Sequence, residues 1–332
     1  VASQKQAEQF GGRDPKYDFG TNPCSEIILR PYQFCNLTEV VIRPDDTKDT
    51  LRDKVRVASV LGSIQSTFTN FPYLRKIWQK NTEDERLLGV SLTGILDCSL
   101  TAGQSEKASK ELPELLESLR DVARKTNKKM AKALKINESA AITCVKPSGT
   151  VSQLVDSASG IHARHSKYYL RTVRGDNKDP LTQFLKDAGV PAEPCVMKGD
   201  TTTVFTFPVK APEACITRHD MTAIEHLELW KTYQLHWCEH KPSITVSVTE
   251  AEWPEVGAWV WNNFDIVSGI SFLPYDGGTY KQAPYQETDP DTYNEYKTIM
   301  PTTINWEALI EQTDETVGSQ ELACAAGSCE IQ

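Results

Sequence analysis

Three short segments hold residue types that could do chemistry. In Asn22-Pro23-Cys24-Ser25-Glu26 an amide, a thiol and a carboxylate occupy alternate positions. An extended or looped backbone therefore puts three chemically different groups on one side. On turn statistics alone, the same residues make an Asn-Pro turn around an incidental buried cysteine. A further thiol, Cys35, follows eleven residues after Cys24 in Phe34-Cys35-Asn36-Leu37.

The second segment is Lys146-Pro147-Ser148-Gly149-Thr150-Val151-Ser152, between an expected strand and an expected helix. Small residues there let backbone N–H groups and hydroxyls approach a phosphate, and a helix N-terminus adds roughly 0.3 to 1 kcal/mol of attraction for an anion. The run lacks the Gly-Lys-Ser/Thr ending of a Walker loop. As a bare pattern it is equally a helix capped by Ser148 or Thr150. In the third segment, Cys324 and Cys329 enclose Ala-Ala-Gly-Ser near the end of the chain. On a flexible tail, such a pair can close into a disulfide and visit other sites. No second Cys or His pair lies nearby to complete a four-ligand metal site.

The elements that must position these residues read as an alternation. Apolar residues at Leu51, Val55, Ala58, Leu61 and Ile64 predict one helical face. A buried strand is expected over 86–92 with a turn at Gly94, then a long helix over 112–134 with Pro113 in its first turn. A short buried strand over 140–145 stops at Pro147 and feeds the second segment. Strands are expected over 168–173, 202–207, 244–248 and 267–273, and helices over 180–187, 221–237 and 250–264. This alternation predicts an α/β layout with mainly parallel strands and ligands at their C-terminal ends. Residues 1–21 read as a polar surface lead-in, 275–300 as a long surface loop, and 314–332 as a flexible tail.

The whole chain has 332 residues, 39% hydrophobic and 24% charged, with a net charge of −9. Such a balance excludes a general nucleic-acid binder, which needs a dense basic face, and no apolar run reaches the ~18 residues of a membrane span. Val1 to Lys5 carry no apolar core of a secretion signal, so a cytoplasmic location is expected. An odd number of cysteines, nine, fits a reducing compartment better than a disulfide framework. Cys98, Cys144, Cys195 and Cys215 read as small buried hydrophobes. His162 and His165, and His236 and His240 with Cys238, read as packing or surface residues rather than ligands, and the group Trp253, Trp259, Trp261 and Phe264 reads as core rather than a cofactor platform.

Taken together, the three segments resemble the C-terminal catalytic half of ribonucleotide reductases. Phe34-Cys-Asn-Leu-Thr-Glu-Val, Leu88-Gly-Val-Ser-Leu-Thr-Gly, Ser159-Gly-Ile-His-Ala-Arg-His-Ser and Ile270-Ser-Phe-Leu-Pro are most similar to the monomeric, adenosylcobalamin-dependent (class II) branch acting on ribonucleoside triphosphates. The resemblance implies half of a ten-stranded α/β barrel over 22–313, with a central finger loop. It implies that Cys24 carries a thiyl radical, Glu26 is the general base and Asn22 binds the sugar. Cys35 would form a redox pair with a cysteine in the N-terminal half. Ser148, Gly149, Thr150, Val151 and Ser152 would hold substrate phosphates, and Cys324 with Cys329 would relay electrons from thioredoxin or glutaredoxin. Ser25 stands where glycine is usual, which ordinary backbone dihedrals would tolerate. The N-terminal half of the family pattern, with the partner of Cys35 and the allosteric specificity site, lies outside this sequence. Two alternatives remain: a half-chain that is inactive without its N-terminal partner, and a reductase of another class whose radical comes from a separate subunit.

Overall fold

The computed structural model of the protein describes residues 2–10, 12–275 and 281–310. In chain order the strands are β1 (Gly20–Thr21), β2 (Ile28–Leu29), β3 (Asn36–Val41), β4 (Leu88–Thr93), β5 (Thr143–Cys144), β6 (Tyr168–Asp176), β7 (Ala192–Pro194), β8 (Thr202–Lys210), β9 (Ile244–Val248), β10 (Ile270–Pro274) and β11 (Tyr285–Glu287). The chain divides into two compact units, Val1–Ala163 with Ala214–Tyr275 and Arg164–Glu213 with Asp276–Gln332. Nothing in the sequence marks this division.

The first unit holds the parallel strands. β3, β4 and β5 pair in parallel, as do β9 and β10. A parallel bridge from Val145 to Pro242 joins the two groups, giving the order β3-β4-β5-β9-β10. Five parallel strands are the content of one half of a ten-stranded barrel. Parallel neighbours need long crossovers, supplied by the helices Lys48–Gln65, Glu106–Leu134, Ala223–His236 and Trp253–Asn262.

The helix Lys48–Gln65 is opened by a capping box between Thr47 and Thr50, and buries Leu51, Val55, Ala58, Ser59, Gly62 and Ser63. Leu61 and Ile64, expected on the same face, are exposed. Steps of three residues fall about 60° short of a full turn, so two in succession carry the side chain away from the core. Glu106–Leu134 begins six residues before the expected start, at the Ser105 cap, so Pro113 sits inside the helix rather than in its first turn. In the helix Ala223–His236, Trp230 and Tyr233 are buried, as is Trp237 just beyond it. Their polar atoms donate to carbonyls of Pro242, Thr101 and Cys144 respectively, so large apolar area is buried without orphaning a donor.

The expected polar lead-in instead contains a helix, Ala2–Phe10, with Gln6 and Ala7 buried. Gln6 donates to the Cys238 carbonyl and accepts from Gln234. Arg13 is almost wholly buried, with its guanidinium on Glu85 at 2.8 Å, on the Ile28 carbonyl at 2.7 Å and on Gln33 at 3.2 Å. Polar residues read as surface in a sequence unless their partners, here more than two hundred or seventy positions away, are known.

The second unit departs from the parallel expectation. Its sheet has the order β11-β6-β8-β7 and is antiparallel throughout. The stretch expected as long loop contains β11 and the helix Pro290–Ile299, capped by Asp289. Among the aromatic group expected as core, only Trp259 is buried, while Trp261 and Phe264 are exposed.

Replacing Glu85 by alanine would leave the Arg13 guanidinium buried without its carboxylate. We expect a loss of about 3–5 kcal/mol in unfolding free energy, read by urea titration. An unchanged midpoint would show that this ion pair does not fix the segment.

Candidate functional site

The turn between β1 and β2 carries the first segment. The Asn22 side-chain oxygen accepts the Ile27 N–H at 3.0 Å, and the Ser25 N–H donates to the Asn22 carbonyl at 3.0 Å. This closes a tight turn with Cys24 at its tip. Ser25 has φ of 66°, so the backbone is left-handed there. The expectation of ordinary dihedrals is corrected: a glycine position is filled by serine, at a cost of about 1–2 kcal/mol.

Glu26 is 0% exposed, and among the described residues neither of its carboxylate oxygens has a hydrogen-bond partner. Buried carboxylates are normally paired, so Glu26 is poised to accept a proton or hydrogen bond from a group that is not part of the described chain. Its backbone carbonyl accepts the Lys241 N–H. The Cys24 side chain is half-buried.

The base of this hairpin is pinned by two buried side chains. His240 accepts the Ile28 N–H on Nδ1 at 3.3 Å and donates from Nε2 to the Leu88 carbonyl at 2.9 Å. It thereby ties β2 to β4. Burial, aided by the charge of Arg13, pushes His240 down to about 3, so it is neutral. Arg13 grips the next carbonyl of β2, that of Ile28.

Cys35 leads into β3. Its thiol is held well above the ordinary range, first by burial and then by the negative charge of Glu26, with Arg13 acting in the opposite sense. Cys35 is therefore a protonated thiol that feels Glu26. Along β3 the side chains alternate. Thr38 approaches the helix Lys48–Gln65 near Gly62, and Val40 is in the core. Leu37 lies over Gly89, where a Cβ would come within 2.4 Å of it, and shares its face with Cys35 and Glu39.

Glu39 connects this face to the second segment. The Ser148 hydroxyl donates to Glu39 Oε2 at 2.8 Å and accepts the Ser152 N–H at 3.1 Å. Ser152 in turn donates to the Ser148 and Gly149 carbonyls. The short helix Thr150–Leu154 starts here with Gly149 at its cap. Ser148 and Ser152 are buried and spend their hydroxyls inside the loop, so an incoming anion is left the first N–H groups of the helix. Ser148, one position before the Gly149 cap, thus supplies a side-chain acceptor to the helix start, while Thr150, the other cap candidate of the sequence, is the first helical residue. From Cys35 to Glu39 is four residues along one strand, about 13 Å, a span that suits a nucleotide lying from sugar to phosphates.

The remaining sequence candidates fall elsewhere. Cys98, Cys144, Cys195 and Cys215 are all buried. His236 pairs with Glu117, and His162 accepts the Thr245 N–H on Nε2 while its Nδ1 meets the Ser159 carbonyl. Cys324 and Cys329 lie outside the described residues. Sequence reasoning missed Arg13 and Glu39, and saw His240 only as a packing histidine. Glu39 does sit in the quoted Phe34-to-Val40 motif, which was its only signal.

No family model matches the sequence. An adenosylcobalamin-dependent ribonucleoside-triphosphate reductase of Lactobacillus delbrueckii subsp. bulgaricus is 29% identical over 94% of this chain and 46% of that protein. One of Euglena gracilis is 31% identical over 83% of this chain and 37% of its own length. Among solved structures, a B12-dependent (class II) ribonucleotide reductase superposes with a TM-score of 0.74 at 26% identity, covering 86% of this chain and 43% of that one. By sequence and by fold, the chain matches the class II ribonucleotide reductases. It spans a little under half the length of the relatives it matches. The class Id reductase α subunit of Actinobacillus ureae, at 15% identity and a TM-score of 0.55, shares the fold alone. The reductase half-barrel expected from the sequence motifs is thus the fold observed.

His226 is also buried and held at about 4, by burial and then by His162. Unfolded histidines take up protons near pH 6.5, so below that pH the unfolded state binds more protons than the folded one. Stability is fully present above about pH 6.5 and falls as the pH drops toward 4. The slope is up to about 1.4 kcal/mol per pH unit for each histidine. Urea titrations at pH 7, 6 and 5 should show this slope, and His240→Gln should reduce it; an identical slope in the variant would contradict a neutral, buried His240.

Proposed function

We propose that the chain is the catalytic half of an enzyme reducing ribonucleotides, preferentially ribonucleoside triphosphates, to 2′-deoxyribonucleotides. The observation that carries this reading is the fully buried Glu26 carboxyl, without a hydrogen-bond partner among the described residues, on the same turn as the half-buried Cys24 thiol and beside a second, protonated one, Cys35. Proton acceptance and two thiols at one point are what radical removal of a hydroxyl requires.

The relatives' names supply the cofactor, adenosylcobalamin. What fits it is Cys24, a half-buried thiol at the tip of a turn and hence reachable from outside the strands. When bound, the cofactor supplies the radical that oxidises Cys24. The Cys24 thiyl abstracts the 3′-hydrogen of the sugar. Glu26 accepts the 3′-hydroxyl proton, and the Asn22 amide hydrogen-bonds the sugar while its oxygen keeps the turn closed. Loss of the 2′-hydroxyl is then completed by hydrogen and electrons from Cys35 and its partner thiol, which the complementary half must provide. Phosphates held at Ser148 to Ser152 fix C3′ next to Cys24 before the radical forms.

Coverage of under half of each relative favours a companion reading: this polypeptide is inactive until it meets an N-terminal half. We further propose thioredoxin or glutaredoxin as reductant, acting through Cys324 and Cys329, and a reducing cytoplasmic location, supported by the odd number of cysteines, nine. No helix among the described residues is long and apolar enough to cross a membrane.

Mixing the chain with a complementary N-terminal half, adenosylcobalamin, a dithiol and cytidine triphosphate should yield deoxynucleotide, and omission of the half should abolish it. No product from the full mixture would sink the enzyme reading. Product formed only when a separate metal-bearing radical subunit replaces the cobalamin would favour another reductase class. Cys24→Ser should remove all turnover, and Glu26→Gln should slow it about a hundredfold or more with substrate binding intact. A Glu26→Gln rate equal to the parent's would dismiss Glu26 as the base.

The tail is tested separately. With Cys324 and Cys329 both changed to serine, one turnover per prereduced site should remain while thioredoxin-driven cycling stops and a small dithiol restores it. A double variant that cycles fully with thioredoxin would remove the relay role.

A further inference from the structure

Glu39 sits where a phosphate-binding loop should least tolerate a carboxylate. Its Oε2 accepts the Ser148 hydroxyl, its Oε1 is buried and has no hydrogen-bond partner among the described residues, and it shares a strand face with Cys35. We propose that Glu39 is a proton-linked positioning residue for substrate phosphate: its carboxyl orients Ser148 and takes up a proton from solvent as the anion binds. The proposal rests on the phosphate-loop reading above.

The physical argument has two parts. Ser148 has a single hydroxyl hydrogen, and Glu39 is its acceptor. That leaves the Ser148 oxygen lone pair for the Ser152 N–H, which sets the first turn of Thr150–Leu154. Remove the acceptor and the hydroxyl can turn, so the cap and the N–H groups beside it lose their fixed direction. Meanwhile the carboxyl is already pushed toward its neutral form by burial, against the Ser148 hydrogen bond and the charge of Lys146. A phosphate carrying several negative charges at the same loop pushes further in that direction. The neutral acid keeps an acceptor for Ser148 on one oxygen and gains an O–H on the other.

Few other groups confound the titration. Lys146 of the loop is the one charged side chain acting on Glu39. Ser91 lies opposite on β4 and accepts the Lys146 N–H. The buried Cys144 thiol of β5 feels Glu39 but is held protonated by burial.

Calorimetric titration of the chain with cytidine triphosphate, between pH 6 and 9 in two buffers of different ionisation heat, tests the idea. The parent should take up close to one proton per nucleotide bound where Glu39 is ionised in the free protein. Its affinity should fall with rising pH more steeply than that of Glu39→Gln, by up to about tenfold per pH unit. Glu39→Gln keeps the acceptor for Ser148 and is always neutral, so it should bind as tightly as the parent at low pH, with no extra proton uptake. Glu39→Ala frees Ser148 and should bind more weakly at every pH. Equal proton uptake and equal pH slope in the parent and Glu39→Gln would overturn the proposal. Gly149→Val separates it from its foundation. If that variant binds as the parent does, the phosphate-loop reading fails and takes this proposal with it. If it loses binding while Glu39→Gln keeps the parent's slope, the Glu39 proposal alone is wrong.

Discussion

The buried Glu26 carboxyl, without a hydrogen-bond partner among the described residues, is the constraint on which the arrangement of the site depends. Leaving a buried polar group unsatisfied costs about 1–3 kcal/mol, and a small hairpin could not hold it by itself. A two-stranded ribbon is marginal in water. The hairpin here is fastened at its base by His240, which spans from the Ile28 N–H to the Leu88 carbonyl, and by Arg13, which holds the Ile28 carbonyl and Glu85 together. The left-handed Ser25 adds strain that the same fastenings must overcome.

Electrostatics within this cluster are balanced rather than neutral. Arg13 and Glu26 act on Cys35 with opposite signs, and burial decides the outcome in favour of the thiol. Cys24 and Cys35 are both half-buried; Cys24 lies at the tip of the turn, whereas Cys35 leads into β3 beside Glu26.

β3 joins the two ends of the site. Its inward face begins at Cys35, beside Glu26, and reaches Glu39, beside Ser148. Because a strand has a fixed rise and a period of two, the distance from Cys35 to the loop that Glu39 meets at Ser148 is set by the number of residues between them. The opposite face of the same strand packs on the helix Lys48–Gln65, so the spacing is backed by core rather than by loop. Gly89 on β4 allows Leu37 to lie close over it, which keeps the two strands in register at the middle of the site.

Much of this was legible in the residues. Apolar periodicity marked the crossover helices and four of the five parallel strands of the first unit, because burial on one face or two leaves a pattern that needs no knowledge of the partner; β3, whose residues are mostly half-exposed, left no such pattern and was not expected. The motifs at Asn22 to Glu26, Cys35 and Ser148 to Ser152 pointed to the reductase half-barrel that the comparisons support. Tertiary structure decided what pattern cannot carry. Arg13, in a stretch that reads as polar lead-in, is buried because Glu85 meets it from 72 positions away, and Glu39 meets Ser148 only because a loop more than a hundred residues away is brought to it. The antiparallel sheet of the second unit was equally hidden, since alternation of strand and helix says nothing of strand direction once the connections are long. Sequence by itself determined which types of group the site holds and the apolar pattern of most elements, although Leu61, Ile64, Trp261 and Phe264 turned outward; the fold alone decided which groups touch, because hydrogen bonds and ion pairs between remote segments depend on the register of elements that no local pattern encodes.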